Sequence, residues 1–329
     1  MTKLTIRNWI SFSIYHDHEN YVLTNVVRDI PQDLFNKEIN QYMFSRAYDR
    51  GKNLFLMFEL NTGSDEKKVR AVIQDIVKKY LDQNPSEERK IEYPVNDWFL
   101  PFPSNHIEYK ENFVFDIMET GGLKASLLAK SLLSSSSKHI VDFISNSEEW
   151  NPESAMGVAI QFHLSLGLAF NSNLNELLSF YDYFFDSIIK KTQGSEDNFK
   201  QNLISGLSEN FDSQKEGLVN YAEYIIEMLK NPDDIEEEWM KQWYYDCKNI
   251  SDELNLLQKR GEYVVPENFS MDESNSASPE YQRKWPVLEY YLRSINSQLG
   301  VTDVYELNLI YSLKEILKEL NTVKEEVNG

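Results

Sequence analysis

Apolar residues recur at every second position in two early stretches of the chain and at every third or fourth position through most of the remainder. That change of period limits the fold more than any other feature, because strands repeat every two residues and helices every 3.6. Residues 4–15 alternate and carry Ile10, Phe12 and Ile14, the pattern of a strand. A helix is expected over 20–37, broken at Pro31. Tyr42, Phe44, Arg46 and Tyr48 then share one face of a second strand. Asp49-Arg50-Gly51-Lys52 turns the chain, and Leu54, Leu56, Phe58 and Leu60 return on its partner. Ser64, followed by Asp65 and Glu66, opens a helix whose stripe is Val69, Val72, Ile73, Ile76, Val77, Tyr80 and Leu81, ended by Asn84-Pro85. Residues 91–108 read as a loop, and 112–118 as a strand that Gly121-Gly122 turns into a helix.

From Ala125 onward helices are expected at 123–146, 153–171, 173–191, 213–230 and 234–259. A polar stretch over 261–280 reads as a mobile lid or a linker. Two more helices, about 281–299 and 303–321, are separated by Gly300 as C-cap and Asp303 as N-cap. The fold class expected is α+β, in one unit over 1–329: a strand-rich part over 1–120 and a mainly helical part over 121–329.

Phe, Tyr and Trp number 18, 19 and 6 in 329 residues, enough to fill a sizeable core. The net charge of −20 repels phosphate, which argues against nonspecific binding of nucleic acid. The single cysteine, Cys247, excludes an internal disulfide and reads as a reduced core thiol. The N-terminal residues lack a long apolar run and a small-residue cleavage site, and no apolar run reaches the length of a membrane span. A soluble cytoplasmic protein is expected.

Chemistry-bearing motifs are sparse. His16 and His18 share a strand face but have no third ligand in view, so a solvated strand end is preferred to a metal site. His106, His139 and His163 stand singly, the last two in apolar helical segments that suggest satisfied core or boundary histidines. The run Ser134 to Ser137 reads as a closely packed stretch of helix, and Glu148-Glu149 and Glu236 to Glu238 as solvated faces. Gly-rich phosphate loops, nucleophile elbows and zincin motifs do not occur.

Three segments, in order, carry a resemblance. The first is Trp9-Ile10-Ser11-Phe12 followed by MFSRAYDRGKNLFLMF (43–58); the second is FDIMETGGLKASLLAKSLLSSSSKHIVDFI (115–144); the third is LRSINSQLG (292–300). Together they resemble the C-terminal, elimination-type family of lantibiotic dehydratases, also called thiopeptide-type bacteriocin biosynthesis proteins. In that family the blocks read roughly F-F-I-R-Y…G-x-H-L-R-L-R, P-E-x-E-R-Y-G-G and H-M-H-x-N-R-L-x-G. Arg46 and Asn296 match. Asn53, Phe55 and Met57 stand at the His and the two Arg of the first block, Glu119 and Thr120 replace the Arg-Tyr pair, and Leu292 and Ser294 replace the two histidines.

The resemblance implies a protein acting on a modified ribosomal peptide. Most of the cations that would handle a departing glutamate have gone, and a carboxylate stands at one of their positions. The chain is therefore most similar to the branch of pyridine synthases, which join two dehydroalanines of a leader-bearing precursor in a formal [4+2] aza-cycloaddition. That reaction needs a general acid, a general base and close positioning, and implies no metal or organic cofactor. The catalytic candidates are Glu119, Tyr290, Tyr291 and Arg293; the substrate-binding candidates are Arg46, Thr120, Gly121, Gly122 and Asn296. The implied partner is the precursor peptide, with neither nucleic acid nor membrane, and association with other biosynthetic enzymes is open. Its leader could dock as an added strand or as a helix in a groove, with Lys67, Lys68, Arg70, Lys78 and Lys79 offsetting the overall charge. A split-off glutamate-eliminating domain and a noncatalytic peptide-binding partner are the alternatives.

Overall fold

The computed structural model describes residues 9–48, 50–87, 102–110, 119–171, 173–191, 197–267, 269–272, 275 and 277–328. The start of the first expected strand, most of the expected loop 91–108 and the whole of the expected strand at 112–118 lie outside them. The chain divides into two compact units. Unit 1 is Met1–Ile117 with Leu133–Trp150, and unit 2 is Met118–Leu132 with Asn151–Gly329.

Unit 1 is built on an antiparallel sheet of order β2-β3-β1-β4, with β1 Trp9–Tyr15, β2 Ile39–Ala47, β3 Asn53–Leu60 and β4 His106–Lys110. The hairpin forms where the sequence places it. Arg50 and Gly51 both take positive φ, 55° and 106°, and the β2–β3 register closes at Ala47 opposite Asn53. One expectation is corrected. Residues 106–108 are not loop but open the edge strand β4, paired from Tyr15–His106 to Ser11–Lys110. All seven residues of β1 are buried, and Met43 and Met57 are buried beside Phe44 and Phe58. Both faces of the central strands are covered: β1 fills its second face with the small Ser11 and Ser13, and β3 runs on apolar from Leu54 to Phe58.

Helix α1 (Glu19–Asp29) packs on α3 (Glu66–Gln83), and α3 on β4, with α2 (Gln32–Lys37) beside β2. Helix α3 buries Val69, Ile73, Val77 and Leu81. Its cap is Asp65, whose carboxylate accepts from Lys68 N–H, whereas the Ser64 hydroxyl donates to the Glu38 carbonyl. Lys67, Lys68, Lys78 and Lys79 are exposed on it, and Arg70 lies 4.5 Å from the centre of the Tyr109 ring. His16 is buried rather than solvated. Its ring nitrogens meet the Asn84 carbonyl at 2.8 Å and the His18 N–H at 3.0 Å, which closes the end of β1 on the end of α3.

Helix α4 (Leu123–Asn146) contributes its second half to unit 1. There the serine run has a structural use. Ser137 Oγ donates to the Leu133 carbonyl at 2.7 Å and accepts the Phe44 N–H at 3.3 Å, so a small hydroxyl satisfies an outward-facing group of the edge strand β2.

Unit 2 is helical: α5 (Pro152–Phe170), α6 (Leu174–Lys191), α7 (Asp197–Lys230), a 3₁₀ turn (Pro232–Asp234), α8 (Glu238–Lys259), the short α9 (Pro279–Gln282), α10 (Trp285–Leu299) and α11 (Val304–Asn328). Helix α5 packs against α6, α7, α8, α10 and α11, and it is apolar nearly all round, as a central helix must be. Gly167 lets α6 close on it: a Cβ there would stand 2.6 Å from Leu177 Cδ1. Helix α7 starts sixteen residues earlier than the periodicity suggested. The early half interrupts its stripe with Gly206 and buries only Leu207 and Phe211 well. Gly300 ends α10 in the left-handed region, φ 82°, as expected from the sequence. Cys247 is buried, and burial pushes its thiol far up. Among the described residues no helix is long and apolar enough to cross a membrane.

Candidate functional site

The candidates fall in both units. Arg46 belongs to unit 1. Its guanidinium is 7% exposed and pairs with Glu19, 1% exposed, at 2.9 Å, while also donating to Asn20 Oδ1 at 2.6 Å; Lys52 approaches the same Glu19 oxygen at 3.2 Å. Asn53, at the position of the family's histidine, is fully buried and donates to the Gly51 carbonyl, tying down the turn. Met57, at an arginine position, is core. The hairpin thus uses these positions for folding instead of for cations.

The remaining candidates lie in unit 2. Glu119 is exposed and Thr120 fully buried at the start of the glycine turn. Gly121 and Gly122 have φ 88° and 100°, which only glycine adopts without strain. The segment after α8 crosses this turn. Val264 N–H donates to the Gly121 carbonyl at 2.9 Å, Lys124 pairs with Glu262 at 2.7 Å, and a Cβ on Gly121 would stand 2.6 Å from Tyr263 Cε2. The Tyr263 hydroxyl donates to the Arg283 carbonyl at 2.8 Å, just ahead of α10. The 261–267 portion of the expected lid is therefore a strap laid over the glycine turn.

Helix α10 supplies the rest. Tyr290 is half-buried. Tyr291 is fully buried, edge-on to Phe170, and its hydroxyl has no hydrogen-bond partner among the described residues. Burial pushes its phenol far up, and the nearby phenols of Tyr263 and Tyr290 push it further. Through Tyr263 the structure brings the glycine turn and Tyr291 into one neighbourhood. Arg293, its side chain 38% exposed, is held by Glu306 of α11 at 3.4 Å and Glu289 one turn back at 3.7 Å. Glu289 also accepts from Ser187 at 2.9 Å and from Tyr183. Nearby, Lys284 is almost wholly buried. Its ammonium donates to Asn255 Oδ1 at 2.8 Å and faces the rings of Tyr281 and Phe170, and burial lowers its pKa to about 8.

Asn296 is fully buried and its Nδ2 donates to Glu306 Oε1 at 3.2 Å. Its Oδ1 must then accept from His163 Nε2 at 2.8 Å, which leaves His163 Nδ1 to accept the Tyr181 hydroxyl at 3.0 Å. The neutral ring makes both bonds, with the Tyr181 O–H as donor to its Nδ1. Burial accordingly lowers the His163 pKa to about 4, against a smaller opposing effect of the bond to Asn296. The folded pKa lies below the unfolded value of 6.5. The stabilisation is thus complete above pH 6.5 and is lost as pH falls toward 4, by roughly 3 kcal/mol. Urea midpoints of the protein and of His163→Gln between pH 7 and 4 are expected to show this acid loss in the former and to lack that component in the latter.

Of this group, sequence reasoning missed Tyr183, Tyr263, Lys284, Glu289 and Glu306, and read His163 as a core histidine, as found. One signal was available: Glu289 and Arg293 stand four apart on one helix. Tyr263, Lys284 and Glu306 act through long-range contacts that no local spacing marks. Among the described residues no group of three or more His, Cys, Asp or Glu is placed to hold a metal ion.

The fold is similar to solved structures along nearly its whole length. The pyridine synthase TbtD from thiomuracin biosynthesis superposes with a TM-score of 0.69 at 13% identity, covering 96% of this chain and 100% of that one. TsrL superposes with a TM-score of 0.62 at 13% identity, covering 97% and 95%. The tRNA-dependent lantibiotic dehydratase MibB of Microbispora sp. 107891 gives a TM-score of 0.55 at 9% identity, with 99% of this chain matched to 29% of the longer protein. At such identities the likeness is one of fold. No curated protein matches the chain in sequence. The model of the lantibiotic biosynthesis dehydratase C-terminal family matches residues 9–317, and the chain belongs to that family.

Proposed function

We propose that this protein matures a ribosomally made peptide by forming a six-membered nitrogen ring from two of its dehydroalanines. The observation that carries the proposal is the Tyr291 hydroxyl, fully buried and without a partner among the described residues. A buried phenol left unpaired is unfavourable by about 1–3 kcal/mol, and such a donor is retained where a ligand completes it. TbtD, of the same fold, is a pyridine synthase, which adds support for the reaction class.

One dehydroalanine amide must first move its N–H proton to its oxygen, giving a 2-azadiene. Two carbon–carbon bonds then form to the second dehydroalanine. The amide oxygen leaves as water, and the second dehydroalanine's nitrogen leaves with the leader as a carboxamide, which makes the ring aromatic. In this scheme Tyr291 donates to the amide oxygen and later helps expel it. Glu119 accepts the amide proton, Tyr290 and Arg293 hold peptide carbonyls, and the Thr120-Gly121-Gly122 turn seats the peptide under the strap. Positioning both alkenes can supply roughly 7–11 kcal/mol of the barrier without covalent catalysis. The apolar and amide side chains Asn53, Phe55 and Met57, in place of cations, weigh against glutamate elimination.

The test is intact mass spectrometry of a leader-bearing peptide with thiazoles and two dehydroalanines, incubated with the full chain. Loss of water and release of the leader carboxamide are expected, with Tyr291→Phe slower by about 10²-fold and Glu119→Gln also slower. A peptide that binds but is unchanged would replace catalysis with a noncatalytic partner role.

A further inference from the structure

The polar contacts beneath α10 form one continuous chain. Tyr181 O–H donates to His163, His163 donates to Asn296, Asn296 donates to Glu306 Oε1, and Glu306 Oε2 receives Arg293. Every member before Arg293 is buried: Tyr181, His163 and Asn296 are at 0% exposure and Glu306 at 8%. The Asn296 amide sets the direction: its N–H donates to Glu306, so its oxygen accepts from His163. The chain starts on α6 and α5, passes through Asn296 of α10 to Glu306 of α11, and returns to α10 at the half-exposed guanidinium of Arg293. Glu289, itself held by Ser187, grips that guanidinium from the other side.

We propose that His163, Asn296 and Glu306 are positioning residues for Arg293: the neutral imidazole fixes the amide of Asn296, the amide aims the Glu306 carboxylate, and the carboxylate holds the guanidinium where it meets the peptide. The inference rests on the reading of Arg293 as a peptide-contacting residue. It moves Asn296 from contact with the substrate to control of the group that makes the contact. A guanidinium on a half-exposed helix turn would otherwise sample many rotamers, and two fixed carboxylates reduce that freedom before the peptide arrives.

Asn296→Asp separates this role from a merely structural one. An aspartate still accepts from His163 but cannot donate to Glu306, and it sets a second carboxylate against it. The kcat/KM for the dehydroalanine peptide is expected to fall by about tenfold, chiefly through KM, and a double-mutant cycle isolates the route. In an Arg293→Ala background the same substitution should change KM by less than about twofold while lowering the unfolding midpoint as much as before. Adding Glu306→Gln to Asn296→Asp restores a donor between the two side chains. The double variant should recover the midpoint but not KM, because Arg293 has lost its carboxylate. An Asn296→Asp effect on KM that persists without Arg293, or a KM that recovers along with the midpoint, would overturn the relay while leaving the ring-forming reading intact. An Arg293→Ala variant with unchanged peptide binding and turnover would instead remove Arg293 from the site, and the relay with it.

Discussion

Glu19→Leu is expected to destabilise unit 1 by about 3–5 kcal/mol, the loss typical of a buried ion pair deprived of one partner. The substitution takes the Glu19 carboxylate away from the Arg46 guanidinium, which is 7% exposed and keeps its bond to Asn20. The converse change is milder. In Arg46→Met the Glu19 carboxylate keeps Lys52 at 3.2 Å, whose half-exposed ammonium can move closer. A loss of about 1–3 kcal/mol is expected there, and the difference between the two variants measures how far one carboxylate serves two cations. Urea titrations followed in the near ultraviolet, with the slope checked for constancy, read both values. Arg46 stands out in the sequence by its match to a family arginine, and its partner Glu19 lies 27 positions earlier. Measuring peptide affinity on the same two variants decides whether the arginine also serves substrate: only a loss in Arg46→Met that exceeds its stability effect would say so.

Gly121→Ala is expected to have the second large effect, about 2–4 kcal/mol. Backbone strain at φ 88° accounts for roughly 1–2 kcal/mol of it. The remainder is collision, because the new methyl would stand 2.6 Å from Tyr263 Cε2 and 3.2 Å from Ala125 Cβ. The ring cannot swing aside without giving up its bond to the Arg283 carbonyl. Truncating the ring should therefore remove the collision and leave the strain: Gly121→Ala should cost visibly less in a Tyr263→Ala background than in the parent. Gly122→Ala makes the control. Its Cβ would meet Val264 Cγ2 at 3.0 Å, but Val264 is 40% exposed and free to turn outward, so strain alone is expected. Equal effects at the two glycines in both backgrounds would mean that the strap does not press on the turn.

The same residues show what a sequence discloses. The Arg50-Gly51 turn, the Gly121-Gly122 turn and the Gly300 cap were legible because positive φ selects glycine locally. The helical stripe of α3 was legible because burial repeats along it. That both faces of the sheet are covered was not legible, since alternation cannot reveal a second covering layer. The full length of α7 was hidden by a polar first half. Within the candidate site the family resemblance brought out Tyr290, Tyr291, Arg293 and Asn296, all on one helix. The groups that set their chemistry, Glu306, His163 and Tyr263, come from distant parts of the chain. Tyr263 sits in a polar stretch whose composition suggested only mobility, yet three specific contacts bind that stretch to the turn and to the start of α10.

The central claim, ring formation between dehydroalanines, is tested most directly by one mixture containing two leader-bearing peptides, one with two dehydroalanines and one with a glutamylated serine. After incubation with the full chain, intact masses are expected to show the first peptide converted to a core that has lost water and its leader, with the leader appearing as a carboxamide and the glutamylated peptide untouched. Conversion of the glutamylated peptide to dehydroalanine, with the first peptide unchanged, would contradict it.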